Sequence, residues 1–167
     1  MRLLLATNNP GKVAEFRGLL APSGCNLVTL ADDSGLEIEA MDGEPGVHSA
    51  RFLGPDATYP ERFAEIQRRL AGLAPDKRAA RFVAVIAIAD PRTRRVHTVE
   101  GEVRGQIAEE PQGEGGFGYD PIFWLPEHNA TMAQLPGPEK DKISHRARAT
   151  QNALPLLKEL LNDHLKQ

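Results

Sequence analysis

The stretch Phe82–Ala89, Phe-Val-Ala-Val-Ile-Ala-Ile-Ala, constrains the fold more than any other part of the chain. It is almost wholly apolar, rich in β-branched residues and far too short to cross a bilayer. Such a run predicts a central strand covered on both faces.

A central strand needs neighbours, and the sequence offers several. Arg2–Ala6 is a short apolar run closed by turn residues, which predicts a buried first strand, and Leu27–Leu30 suggests a second. Leu36, Ile38 and Ala40 alternate with Glu37 and Glu39, the period of a half-exposed strand, and Asp42-Gly43 turns it. Arg92–Arg95 reads as a turn leading into a further strand, Val96–Val103.

Helical periods fall between these runs. Val13, Phe16, Leu19 and Leu20 share one face of a helix over Val13–Leu20. Thr58 and Glu61 have capping-box spacing, Pro60 sits in the first turn, and Phe63, Ile66, Leu70 and Leu73 line one side. A last helix starts at Ser144 with Leu154, Leu157, Leu161 and Leu165 on one face, and Pro155 is expected to bend or restart it. The element order predicts one mixed α/β domain over residues 1–167.

A net charge of -3 argues against nucleic acid or an anionic membrane as the partner. The one cysteine, Cys25, allows no internal disulfide framework and no cysteine-based zinc site, which fits a reducing cytoplasm. The opening apolar run ends too soon for a signal peptide.

Four polar segments carry chemistry. Thr7-Asn8-Asn9-Pro10-Gly11-Lys12 precedes a helix, so its amides and lysine suit a phosphate, although a plain helix cap explains them as well. Ala31-Asp32-Asp33-Ser34-Gly35-Leu36 places two carboxylates side by side, which suits Mg²⁺ and a general base, or a turn before a strand. Gly115-Gly116-Phe117-Gly118-Tyr119-Asp120 offers close backbone approach and two aromatic faces, for stacking a base or for anchoring the loop to the core. In Lys140–Arg148, His145 and Arg146 fall in a first helical turn, where cations oppose the helix dipole unless an anion is near. Together the segments point to a phosphorylated aromatic ligand and a metal.

With Pro45-Gly46-Val47-His48-Ser49-Ala50-Arg51 and Ile143-Ser144-His145-Arg146, these motifs resemble, in their order, the inosine/xanthosine triphosphate pyrophosphatase family. The resemblance runs from residue 1 to about the C-terminal helix. It implies a long mixed β-sheet with flanking helices in two lobes around a cleft, a homodimer, and a Mg²⁺ cofactor. It implies hydrolysis of noncanonical purine nucleoside triphosphates (ITP, dITP, XTP) to monophosphate and pyrophosphate. By position, Thr7, Asn8, Asn9, Pro10, Gly11 and Lys12 would grip the triphosphate, and Asp33 would be general base and metal ligand. Ser34, Phe117, Gly118, Tyr119, Asp120, Lys140, His145 and Arg146 would contact substrate.

The chain departs from the family pattern in one place. Family members carry a further segment, with an acidic metal-binding position, where Leu30 here runs directly into Ala31. The fold is therefore expected to be shortened after residue 30. The alternative expectation is a nucleotide-binding protein of the same fold that has lost catalysis.

Overall fold

The computed structural model describes residues 2–5, 27–90, 93 and 95–165. Among them seven strands form one sheet. These are β1 (Arg2–Leu5), β2 (Leu27–Ile38), β3 (Pro45–Gly46), β4 (Ala79–Asp90), β5 (Arg95–Ile107), β6 (Phe123–Leu125) and β7 (Ala130–Thr131). The helices are α1 (Tyr59–Arg69), α2 (Gly137–Ile143) and α3 (His145–Leu165). The strand order is β1-β2-β4-β5-β6-β7, with β3 added to β2.

The sheet is mixed. β1 and β2 run parallel, Arg2 opposite Leu27 through Leu5 opposite Leu30. The pairs β2–β3, β5–β6 and β6–β7 are antiparallel. β4 carries the apolar run and sits between β2 and β5, as its composition requires. Its residues alternate between buried and half-buried, so one face is sealed more completely than the other.

The chain divides into two compact units. The first comprises Met1–Asp33, Ala84–Glu102 and Asp141–Gln167, the second Ser34–Val83 and Val103–Lys140. In the first, Leu30, Ala84, Ile86 and Ile88 form a core with Ala149, Ala153 and Leu157 of α3. Each fully buried leucine or isoleucine there is worth about 1.5–3 kcal/mol of transfer free energy. The small side chains let α3 come close to the sheet: a Cβ at Gly101 of β5 would collide with Ala149 N and His145 O.

In the second unit, α1 begins with the capping box read from the sequence, Glu61 N donating to Thr58 Oγ1 and Thr58 N to Glu61 Oε2. Phe63, Ile66 and Leu70 are buried from it. Two buried arginines satisfy backbone carbonyls. Arg62 donates to Phe52 O at 2.8 Å and Gly54 O at 3.3 Å, and Arg78 to Ile107 O at 2.9 Å and Ala108 O at 3.2 Å.

Four expectations change. Ala31–Leu36 is neither loop nor turn but part of β2, which continues without a break from Leu27 through the Leu30–Ala31 junction to Ile38. That strand ends before Ala40, which enters a short 3-10 turn; Asp42 and Gly43 then reverse the chain at φ 51° and 85°. β5 runs on to Ile107, past the expected end at Val103. α3 runs through Pro155 as one helix, which removes the restart from the two expected outcomes, and Pro155 lies on its exposed side. The strands β6 and β7 and the helix α2 are too short to have been read from periodicity. The predicted loop Thr7–Lys12, the helix Val13–Leu20 and Cys25 lie outside the described residues.

Candidate functional site

Among the described residues, the predicted site residues fall into two groups, one in each unit. The first follows from strand alternation. Leu30, Leu36 and Ile38 are buried, so the even-numbered residues of β2 face inward. Asp32 therefore points in, its side chain 0% exposed, and Asp33 points out and is exposed. The adjacent carboxylates do not have to share a site; they sit on opposite faces of one strand.

Arg146, in the first turn of α3, donates its Nε to Asp32 Oδ2 at 3.3 Å, and its side chain is 5% exposed. A cation at a helix N-terminus is unfavourable unless an anion accompanies it. Here the chain supplies that anion itself, as Asp32. Ser144 caps the helix, its Oγ accepting from Ala147 N at 3.1 Å, and His145 is buried beside it.

The second cluster organises the glycine loop. Asp120 Oδ2 accepts from Lys140 Nζ at 2.6 Å and from Phe117 N at 2.8 Å. Lys140 Nζ also lies 4.8 Å from the Phe117 ring centroid, within cation–π range. Lys140 and Asp120 are both buried, so the lysine staples the loop from below. Gly116, at φ 72°, leaves room for the pair, since a Cβ there would strike Asp120 Oδ2. Gly118, at φ 67°, adopts the same left-handed conformation.

Tyr119 is buried, its ring 5.4 Å from Tyr59 in a T-shaped contact and 6.0 Å from Phe63. These contacts anchor Tyr119 to the core. Its hydroxyl donates to Ser49 O at 2.8 Å, and burial pushes its pKa above the ordinary phenol range.

The structure thus brings together Asp32 with Arg146, and Asp120 with Lys140 and Phe117. Ser34 lies on β2 next to Asp33 and is half-buried. Thr7, Asn8, Asn9, Pro10, Gly11 and Lys12 are outside the described residues. Among the described residues, no group of three or more His, Cys, Asp or Glu side chains is placed to hold a metal. Sequence reasoning missed Ser49, Gly101 and the pairing role of Asp32. Their partners are far along the chain, so no local pattern announces them.

Comparison with known proteins places this architecture. A model of the Ham1 family matches residues 21–156. A dITP/XTP pyrophosphatase of Desulforamulus reducens is 41% identical, covering 96% of this chain and 97% of the relative. That alignment spans 196 positions, more than the 167 residues here, so the relative carries residues with no counterpart in this chain. A dITP/XTP pyrophosphatase of Thermus thermophilus is 40% identical, over 95% of this chain and 93% of the relative. Among solved structures, a HAM1 protein from Coxiella burnetii superposes with a TM-score of 0.83 at 33% identity, covering 94% of this chain and 98% of the other. The Staphylococcus aureus Ham1 protein gives 0.82 at 31% identity, with the same coverage. Among the described residues no helix is long and apolar enough to cross a membrane. On sequence and on fold alike, the chain belongs to the Ham1 family.

Proposed function

We propose that this chain is a nucleoside-triphosphate pyrophosphatase. It hydrolyses dITP, XTP and ITP to the monophosphate and pyrophosphate, clearing the cytoplasmic nucleotide pool as a Mg²⁺-dependent homodimer. The observation that carries this reading is near-complete coverage by relatives at about 40% identity that bear the name dITP/XTP pyrophosphatase.

The placement of the two aspartates fits the reaction. With Asp32 engaged by Arg146, Asp33 is the exposed carboxylate of the pair. Mg²⁺ in phosphoryl-transfer sites is held by one or two carboxylates together with substrate phosphates, so a single aspartate on this strand meets the requirement. The ion, when bound, would neutralise charge developing on the phosphates. Asp33 takes the proton from the attacking water, and positioning with charge stabilisation supplies most of the catalysis. Lys12 and the amides of the Thr7–Lys12 segment grip the phosphates, while Ser34 and Phe117–Asp120 line the nucleotide. Lys140 holds that loop through Asp120.

Selectivity rests on the purine 6-position. A keto oxygen accepts hydrogen bonds, whereas the amino group of adenine donates them. Donors from His145, Arg146 or backbone amides would be left without acceptors by ATP, which can discriminate by roughly 10⁴-fold.

One assay tests the proposal: ITP, dITP, XTP, ATP and GTP are incubated with Mg²⁺, with and without EDTA, and pyrophosphate is separated from orthophosphate. Pyrophosphate from the first three substrates, abolished by EDTA, is the expected result. Comparable turnover of ATP, or release of orthophosphate, would refute it; sedimentation tests the dimer separately. The residues that relatives carry and this chain lacks favour a second reading, binding without turnover. It predicts a higher melting temperature with ITP and no pyrophosphate.

A further inference from the structure

The motif Pro45–Arg51 contains a serine whose surroundings are unusual. His48 and Ala50 are exposed, while Ser49 between them is buried at 7% exposure. A small polar residue turned inward from an exposed turn calls for partners, and Ser49 has three. Its hydroxyl accepts from Leu36 N at 2.9 Å and donates to Gly46 O at 2.6 Å. Its carbonyl accepts from the Tyr119 hydroxyl at 2.8 Å.

The segments joined in this way are the ones that matter. Leu36 lies two residues beyond Ser34 on β2, and Tyr119 lies inside the Phe117–Asp120 turn. Gly35 makes the junction possible: a Cβ there would meet Gly46 O, so only glycine lets β3 close on β2 and bring Ser49 within reach of Leu36 N. All of these residues belong to the second unit.

We infer that Ser49 is a positioning residue, fixing the Ser34 end of β2 and the Phe117–Asp120 turn in one arrangement through its hydroxyl and its carbonyl. The inference rests on the proposed function, in which both segments contact the nucleotide. Ser49 itself touches no reacting atom. Loss of its hydroxyl takes the acceptor from Leu36 N and unties the turn from Gly46 O, so the carbonyl that receives the Tyr119 hydroxyl is held less firmly.

The test uses the full chain with Ser49→Ala, Tyr119→Phe and the double variant, assayed for pyrophosphate release from dITP well below each variant's melting temperature. Ile86→Val, in the core of the other unit, controls for lost stability. Loss of one buried hydrogen bond should raise KM for dITP about tenfold in Ser49→Ala, with kcat within about threefold. Ile86→Val should keep the original KM, and the double variant should be less impaired than the product of the single effects, because both cut one link. An unchanged KM in Ser49→Ala, or independent effects in the double variant, would overturn the inference. A second readout needs no turnover: Ser49→Ala should speed amide exchange at Leu36 and shift the amide resonances of Phe117–Asp120. If the unmodified chain releases no pyrophosphate, the proposed function fails, and the amides alone decide the case of Ser49. Unmoved resonances at Phe117–Asp120 would then sink it, and so would an unfolded Ser49→Ala alongside a Tyr119→Phe variant whose KM and amides are unchanged.

Discussion

Arg146 Nε and Asp32 Oδ2 lie 3.3 Å apart although 114 positions separate their residues, and both side chains are enclosed. This pair assigns different tasks to two neighbouring aspartates. Asp32 neutralises a guanidinium at a helix start, and Asp33, one residue on, lies on the opposite face and is exposed.

The two substitutions should therefore fail in different ways. Asp33→Asn changes an exposed side chain, so its stability should stay within about 0.5 kcal/mol. Its rate of pyrophosphate release should fall about 10²–10⁴-fold if it is the general base. Asp32→Asn removes one charge of a buried pair, and breaking such a pair from one side costs about 3–5 kcal/mol. At this chain length that is a fall of about 10 °C in melting temperature. Calorimetry and a pyrophosphate assay on both variants check this. Equal melting temperatures would mean that the pair is not a structural anchor.

Lys140 gives the matching case in the other unit. Lys140→Met removes the ammonium that donates to buried Asp120, which also accepts from Phe117 N. Breaking a buried pair from one side is expected to cost about 3–5 kcal/mol in denaturant unfolding. The double change Lys140→Met with Asp120→Leu should recover part of that loss, since two apolar side chains leave no buried charge. No recovery would indicate that the pair is solvated.

These pairs also mark what the sequence reveals and what it withholds. β4 and α1 were legible because their signals are local: an apolar run, and a capping box above a 3.6-residue period. The Asp-Asp-Ser-Gly segment reads locally as a turn before a strand because Asp, Ser and Gly are turn formers when judged alone. In the fold it is the middle of a strand, held by β4 beside it and by the pairing of Leu36 with Gly46. Tertiary pairing overrode local propensity there. The same segment explains why the candidate site was legible only as a set of residue types. Which aspartate is paired, and that Lys140 is spent on Asp120, depend on contacts between residues 20 and 114 positions apart.

Tyr119 supplies a test by pH. Its pKa is raised in the fold because burial disfavours the phenolate. The folded state therefore holds that proton more tightly than the unfolded chain does. The stability it contributes is complete below the unfolded value of about 10 and is lost as pH rises beyond it, towards the folded value. Tyr119→Phe has no proton to lose, so it should show a shallower fall in stability above about pH 10 than the unmodified chain. Urea midpoints between pH 8 and 11 measure the difference, and parallel curves would show that Tyr119 is not protected.

Gly101→Ala asks whether the first turn of α3 is held by backbone contact. The Cβ would meet Ala149 N and His145 O, both backbone atoms, so no flexible side-chain end can yield. The helix start must move away from β5, at a cost of about 1–3 kcal/mol for forced overpacking. His145 and Arg146 sit on that turn, so the displacement carries them with it. Misplacement by about 1 Å at a site can cost about 10²-fold in rate. Gly101→Ala should thus lower both melting temperature and kcat/KM for dITP. An Ala153→Gly change further along α3 should lower only the melting temperature, because it loosens the core cluster without pushing on the turn. If Gly101→Ala melts like the unmodified chain, β5 and α3 are not in contact as closely as the structure has them, and the placement of His145 and Arg146 loses its support.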